Sequence, residues 1–330
     1  MKTNRFGHTE IDVSLLTFGC GAVGGLMTKG VPADQDRAVA WARDNGINHF
    51  DTAPSYGNTA SETNLGRALG KSRDGIFVST KIGLTLSDRA GLADAVRHSV
   101  EASLTRLCQE RVDLFQLHNT LGIEKDDQTI SVDMVLSEVV PAFMKMRDEG
   151  KTRYLGFTAK GGTADLYKLI ESGAFNGTQI FYNLLVPSAG RPMPTGYPAQ
   201  DYHELLFAAE RRGVGSIGVR VLAGGALSGT NNRHPLGMQF VAPIGSNTDY
   251  ATDVSRALKF IPLIDTDHAK SLPELAIRYA ISNPSLCTVE IGIANLEELQ
   301  KAADAVNKGP LAQEALDAIK DIQDSFTGTA

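Results

Sequence analysis

The sequence predicts an α/β fold built from eight strand–helix units closed into a (β/α)8 TIM barrel, and three observations lead there. Short apolar runs alternate with helix-period stretches from residue 13 to residue 306. No break in composition divides the 330 residues, and barrels of this kind commonly take roughly 250 residues as one domain. Polar, titratable side chains follow several of the apolar runs, where α/β proteins bind their ligands. Residues 1–330 are therefore expected to form a single domain.

The strands are expected at Ser14–Phe18, Asn48–Phe50, Gly75–Thr80, Val112–Leu117, Arg153–Phe157, Thr178–Phe181, Gly215–Val219 and Cys287–Ile291. The helices between and after them are expected at Asp34–Asp44, Ser61–Leu69, Leu92–Leu107, Val132–Glu149, Thr163–Ser172, Tyr202–Arg212, Leu272–Ser282 and Leu296–Val306. Ser61-x-x-Asn64 resembles a helix start, and Gly150 and Gly173 stand just past helix ends. Arg5–Val13, with a turn near Gly7-His8, predicts a small hairpin over the barrel floor. Leu311–Asp324 predicts an extra amphipathic helix packed outside. Leu222–Asp253 is too long and too rich in Gly, Asn and Pro for a simple connector, so it reads as a functional loop or lid at the barrel mouth.

Composition narrows the function. Hydrophobic residues make up 42% and charged residues 21%, the balance of an ordinary globular protein. The net charge of −6 gives no electrostatic reason to bind nucleic acid or an anionic membrane. Cys20, Cys108 and Cys287 form no paired spacing, which argues against a disulfide scaffold or a zinc knuckle. His8, His49, His98, His203, His234 and His268 share no metal-ligand spacing, so no metal site is expected. The amino terminus carries no apolar signal core, and no later run reaches about 18 uncharged apolar residues. Cytoplasmic residence is the expectation.

The chemistry gathers at three strand ends. Asp51-Thr-Ala-Pro-Ser-Tyr56-Gly57 follows the run ending at Phe50, Lys81 closes Phe77-Val-Ser-Thr-Lys81, and His118 closes Leu114-Phe-Gln-Leu-His118. A phenol beside an ammonium and an imidazole can exchange a proton with a reacting oxygen, and a neighbouring cation is expected to draw its pKa from about 10 toward neutrality. Taken singly, each has a plainer explanation. Asp51 would cap a turn, Tyr56 would pack, Lys81 would snorkel to solvent and His118 would be a satisfied buried imidazole. Their combination carries the reading.

That combination resembles the aldo-keto reductase superfamily, in its bacterial sugar and aldehyde dehydrogenase-like branch. The matching motifs span most of the chain: Phe50 to Gly57, Ser61-Glu62-x-x-Leu65-Gly66-x-Ala68-Leu69, Ser79-Thr80-Lys81 and Ser103-Leu-x-Arg-Leu107-x-x-x-x-Val112-Asp113-Leu114. His118, Gly150-Lys151-x-Arg153-x-Leu155-Gly156, Gln179 and Tyr182-Asn183-Leu184-Leu185 follow. The resemblance implies an NAD(P)-dependent oxidoreductase interconverting a carbonyl and an alcohol. Tyr56 would be general acid in reduction and base in oxidation. Lys81 and Asp51 would form an ion pair that adjusts it, and His118 would orient and polarise the substrate oxygen.

The cofactor-binding set implied is Gly21, Ala22, Asp51, Thr158, Gln179, Val219, Leu222, Gly224, Gly225, Leu227, Ser228, Gly229, Gly292, Asn295 and Glu298. Gln179 would bind the nicotinamide carboxamide, and Gly224 to Gly229 would wrap the pyrophosphate. Two places depart from the family pattern. Thr158-Ala159 stands where a Ser-Asn pair is common, and Val219 stands where many members stack an aromatic ring on the nicotinamide. Members that prefer NADP(H) often carry a basic residue at the position of Glu298, so a carboxylate there argues that NAD(H) is accepted.

Arg191 and Arg220 lie in loops expected at the mouth. Each is either a surface ion-pair partner or a group recognising an anionic or polyhydroxylated substrate. The loops 186–200 and 222–253 are polar with few large aromatics, which favours a small polar carbonyl or a sugar over a polycyclic substrate. Two other classes compete: a non-catalytic nucleotide-binding regulatory partner of the same fold, and a metal-dependent barrel hydrolase, for which only Asp51 and His118 stand at strand ends.

Overall fold

In the computed structural model, which describes residues 1–71, 73–123 and 126–327, eight parallel strands close on themselves in chain order. They are β1 Leu16–Gly19, β2 His49–Asp51, β3 Phe77–Ile82, β4 Val112–Leu117, β5 Thr152–Thr158, β6 Gly177–Phe181, β7 Gly215–Val219 and β8 Thr288–Gly292. Every residue of β3 and β4 is buried, as expected of strands covered on both faces. The outer helices are α1 Pro32–Asp44, α2 Ala60–Leu69, α3 Leu92–Leu107, α4 spanning 132–148, α5 Thr163–Glu171, α6 Leu205–Arg211, α7 Leu272–Ile281 and α8 Leu296–Asn307. A ninth, α9 Gln313–Asp324, follows the last barrel unit. The predicted (β/α)8 barrel is what forms.

The hairpin pairs Thr3–Arg5 with Asp12–Ser14 in antiparallel register, turning at Gly7, whose φ is +55°. It delivers Phe6 to the barrel floor, where the ring packs with Val13, Phe77, Leu114 and Ile217. Gly177 and Gly215 make room for that ring, since a Cβ on either would come within 2.8 Å of Phe6 carbons.

Above this apolar plug the lumen is polar. The Thr288 and Thr17 hydroxyls lie 2.7 Å apart, Thr17 Oγ1 is 2.7 Å from His49 Nδ1, and His49 Nε2 is 2.9 Å from Ser79 Oγ. Ser79 then donates to Asp51 Oδ2 at 2.5 Å. Because the Ser79 proton goes to the carboxylate, His49 donates from Nε2 and accepts at Nδ1. Burial lowers the His49 pKa to about 3, so the ring is neutral when folded. In the unfolded chain it protonates below about pH 6.5, so the stability it contributes is complete above that value and is lost as the pH falls toward 3. Denaturant titrations between pH 7.5 and 4 should show stability falling less steeply in His49→Gln than in wild type, by up to about 1.4 kcal/mol per pH unit. Equal slopes would refute the neutral, buried assignment.

Several boundaries differ from the sequence reading. Ser14 belongs to the hairpin, so β1 starts at Leu16. Ser61 does not cap α2; its hydroxyl donates to the Cys20 carbonyl at 2.9 Å, tying α2 to the barrel. Helix α4 contains a π turn at Val135–Val139, because Pro141 has no N–H to donate and the preceding turn widens. Tyr202, His203 and Glu204 precede α6, with His203 and Glu204 at positive φ.

The long segment after β7 begins with a 3-10 turn, Ala223–Ser228, and ends in a helix, Tyr250–Ala257, capped by the Asp249 carboxylate. Between them it straps across the mouth: the Met238 amide donates to Ala22 O at 3.0 Å. A Cβ on Gly25 (φ +92°) would lie 2.0 Å from Leu236 O, so glycine there is what lets the strap close down.

Candidate active site

Asp51 ends β2, Lys81 lies near the end of β3, and His118 follows β4, held by its amide donating to Ile82 O at 2.8 Å. Tyr56 sits in the turn after β2, fixed by its amide donating to Ala53 O at 3.1 Å and its carbonyl accepting from Ser61 at 3.2 Å. Lys81 and Asp51 form an ion pair with both side chains fully buried. The ammonium also donates to Thr52 O at 2.9 Å and lies 4.8 Å from the centre of the Tyr56 ring. The Tyr56 and His118 rings meet edge to face, 6.0 Å between centres. Asp51 accepts further from Ser79, at 2.5 Å, and Gln116, at 3.1 Å. Four side chains from three strand ends thus share one site.

Burial dominates the electrostatics. It pushes the Tyr56 phenol up to about 12, and Lys81, which pulls the other way, does not offset it. The expectation that the cation draws the phenol toward neutrality is corrected: desolvation of the phenolate wins, and Tyr56 stands as a protonated donor. Burial pulls Lys81 down, but the paired Asp51 carboxylate leads the contributions that outweigh it and the ammonium is driven up. His118 falls to about 3 through burial and then the fields of Lys81 and Lys160, so it is a neutral imidazole that can donate a hydrogen bond without carrying charge.

A second polar group faces the first across the mouth. Gln179, on β6, accepts from Thr158 Oγ1 at 3.2 Å and donates to Glu290 Oε2 at 2.8 Å. These two bonds set the orientation of its amide and leave one N–H free to donate.

The aldo/keto reductase family model matches residues 15–324. The chain belongs to the aldo/keto reductase family. It is 29% identical to the L-galactose dehydrogenase of Arabidopsis thaliana over 316 residues, covering 93% of this chain and 89% of that one. It is 27% identical to the D-threo-aldose 1-dehydrogenase of a Pseudomonas species, covering 88% and 89%, and 27% identical to a probable voltage-gated potassium channel subunit beta of Arabidopsis thaliana, covering 94% and 93%. Among solved structures, the aldo-keto reductase AKR11C1 from Bacillus halodurans in its holo form superposes with a TM-score of 0.73 at 24% identity, covering 98% and 96%.

The remaining candidate residues lie at or beyond the carboxyl ends of β1, β6, β7 and β8. Gly21 faces the Tyr56 ring, 3.7 Å from where its Cβ would be. Gly292 lies beside Gly24. Gly224 (φ +67°) and Gly225 (φ +109°) take left-handed backbone in the turn after β7, where the Leu222 carbonyl accepts from the amides of Gly225 and Leu227. Ser228 donates to Gly225 O at 2.8 Å, and Gly229 ends the turn at φ +75°. Asn295 caps α8 by accepting from the Glu298 amide at 2.9 Å, while Glu298 accepts from the Ala294 amide at 2.7 Å. This reciprocal cap occupies one Glu298 oxygen.

Arg220 is turned in by a left-handed backbone, φ +56°, which Asn183 holds by donating to the Arg220 carbonyl at 2.9 Å. Burial lowers its pKa while Tyr56 raises it, so the guanidinium lies within the field of the phenol. Arg191 is elsewhere. It donates to Gln323 Oε1 at 3.0 and 3.1 Å and pairs with Asp324 at 2.8 Å, clamping α9 to the β6–α6 loop. Of the two readings of Arg191, an ion pair or a group for substrate, the structure shows the ion pair and not the substrate contact. Two groups at the site escaped the sequence reading. Lys160, just past β5, acts on His118; Glu290 projects from β8 to Gln179. Glu290 sits among apolar neighbours in Thr288-Val-Glu-Ile-Gly292, and the period-2 alternation there was the available signal.

Proposed function

We propose that this protein is an NAD(P)-dependent oxidoreductase that interconverts a carbonyl and an alcohol on a small polar substrate of the sugar or short-aldehyde class. The observation that carries this reading is the Lys81 ammonium, buried between the Asp51 carboxylate and the face of the Tyr56 ring. The residues present fit a nicotinamide nucleotide. Gln179 keeps an amide N–H for a carboxamide, Gly21 leaves open space before the phenol, and the glycines at 224 and 225 let backbone approach a pyrophosphate. Bound there, the nucleotide would supply or accept the hydride.

The chain's own part is proton transfer and charge control. Tyr56 donates its proton to the oxygen as negative charge builds there, and takes it back in oxidation. Lys81, kept charged by Asp51, lowers the cost of the phenolate that this leaves. Neutral His118 donates a hydrogen bond to the same oxygen. Arg220 and Lys160 place two half-buried cations at the rim, suited to hydroxyl-rich or anionic ligands. The names of the sugar dehydrogenase relatives support the same substrate class.

Following absorbance at 340 nm across aldoses, short aldehydes and pyridoxal, with both cofactors and in both directions, tests this reading. Turnover of none of them would defeat it. Glu298, exposed beside the expected adenosine end, favours NAD(H) by repelling a 2′-phosphate. Glu298→Arg should raise the NADP(H)-to-NAD(H) ratio of kcat/KM by about tenfold or more, and a strong wild-type preference for NADP(H) would contradict the assignment.

A further inference from the structure

Glu290 is the site's unexplained group. Its side chain leaves β8 and crosses the top of the lumen, in a slot kept open by Gly19, where an added Cβ would lie 3.1 Å from Glu290 Cγ. It accepts from Gln179 Nε2 at 2.8 Å, and it remains partly open on the mouth side. It is no part of the lumen chain from Thr288 to Ser79, and it borders the Tyr56–Lys81–Asp51 cluster through Asp51. An apolar residue would pack in this layer without desolvating an acid.

The charged and titratable groups facing it come from four elements. Asp51 on β2, Lys81 on β3, Tyr56 in the β2–α2 turn and Cys20 after β1 each lie close enough to act on it or be acted on by it electrostatically. Burial and Asp51 push its carboxyl well above the usual carboxylate range, and Lys81 offsets this only in part. The acid is neutral in this setting and keeps a proton it can release. A cation placed beside it would make ionisation favourable.

On the reading proposed above, Gln179 brings the nicotinamide ring next to this carboxyl. The ring carries a positive charge when oxidised and none when reduced. We infer that Glu290 discriminates between the two states of the cofactor, meeting the oxidised ring as a carboxylate and the reduced ring as a neutral acid. Binding of the oxidised form therefore releases a proton, and binding of the reduced form does not. The site holds the oxidised nucleotide more tightly than the same barrel with an apolar residue on β8 would.

Calorimetry on the whole protein tests this without turnover. Oxidised and reduced NAD and NADP are titrated separately at pH 7, each in two buffers of different ionisation enthalpy, into wild type, Glu290→Gln and Glu290→Leu. The expected result is buffer-dependent heat for the oxidised form in wild type alone, and an affinity ratio of oxidised to reduced form that drops about tenfold or more in both variants. Equal ratios in all three proteins, with no proton release, would overturn the inference while leaving the proposed function standing. Failure of wild type to bind any of the nucleotides would remove the proposed function and this inference together. A variant that unfolds leaves the wild-type proton count to decide.

Discussion

Replacing Tyr56 with Phe lowers kcat for carbonyl reduction by about 10²–10⁴-fold and leaves nucleotide affinity nearly unchanged. The substitution removes one oxygen and keeps the ring that packs edge to face with His118. What is lost is the phenol hydroxyl beside Lys81. The reacting oxygen then builds charge with no O–H to discharge it, and neutral His118, at about 3, cannot donate a proton near pH 7. Steady-state kinetics on the best substrate of the panel, with fluorescence titration of the reduced nucleotide, separates the two effects. Undiminished turnover would overturn the assignment of Tyr56 as the proton donor.

Lys81→Met has the second large consequence, and it strikes stability as well as rate. The ammonium is fully buried, and so is its partner Asp51. Removing it strands a buried carboxylate that keeps Ser79 and Gln116 as neutral donors from the barrel wall. Breaking one member of such a pair costs about 3–5 kcal/mol, which a urea titration resolves. Turnover falls about 10²-fold or more as well, since nothing then stabilises the phenolate. Adding Asp51→Asn to Lys81→Met should restore much of the stability and none of the rate. A single variant as stable as wild type would mean that the pair is not sealed from water.

How much was readable in the chain differs from residue to residue. Asp51, Lys81 and His118 were legible because each ends an apolar run, and Tyr56 because it follows Asp51 in the same turn, and a barrel brings all strand ends to one rim. Arg191 stayed open between an ion pair and substrate recognition because its partners, Gln323 and Asp324, stand more than 130 positions away on an added helix. His49 was set aside for lacking metal-ligand spacing, yet it links Thr17 to Ser79 and through it to Asp51. Spacing along the chain carries no information about neighbours across a lumen. Tyr56 was placed correctly but its acidity was misjudged, because composition shows the cation and conceals the desolvation that outweighs it.

Periodicity and run length alone determined the number of strand–helix units, their parallel order and the rim on which chemistry gathers, since these depend on local pattern and on the handedness of the chain. Only the folded barrel decided which inward side chains touch, which of them lose water, and hence which hold a proton. Those properties arise from groups on β2, β3, β6 and β8 being brought within bonding distance, and no stretch of sequence contains them together.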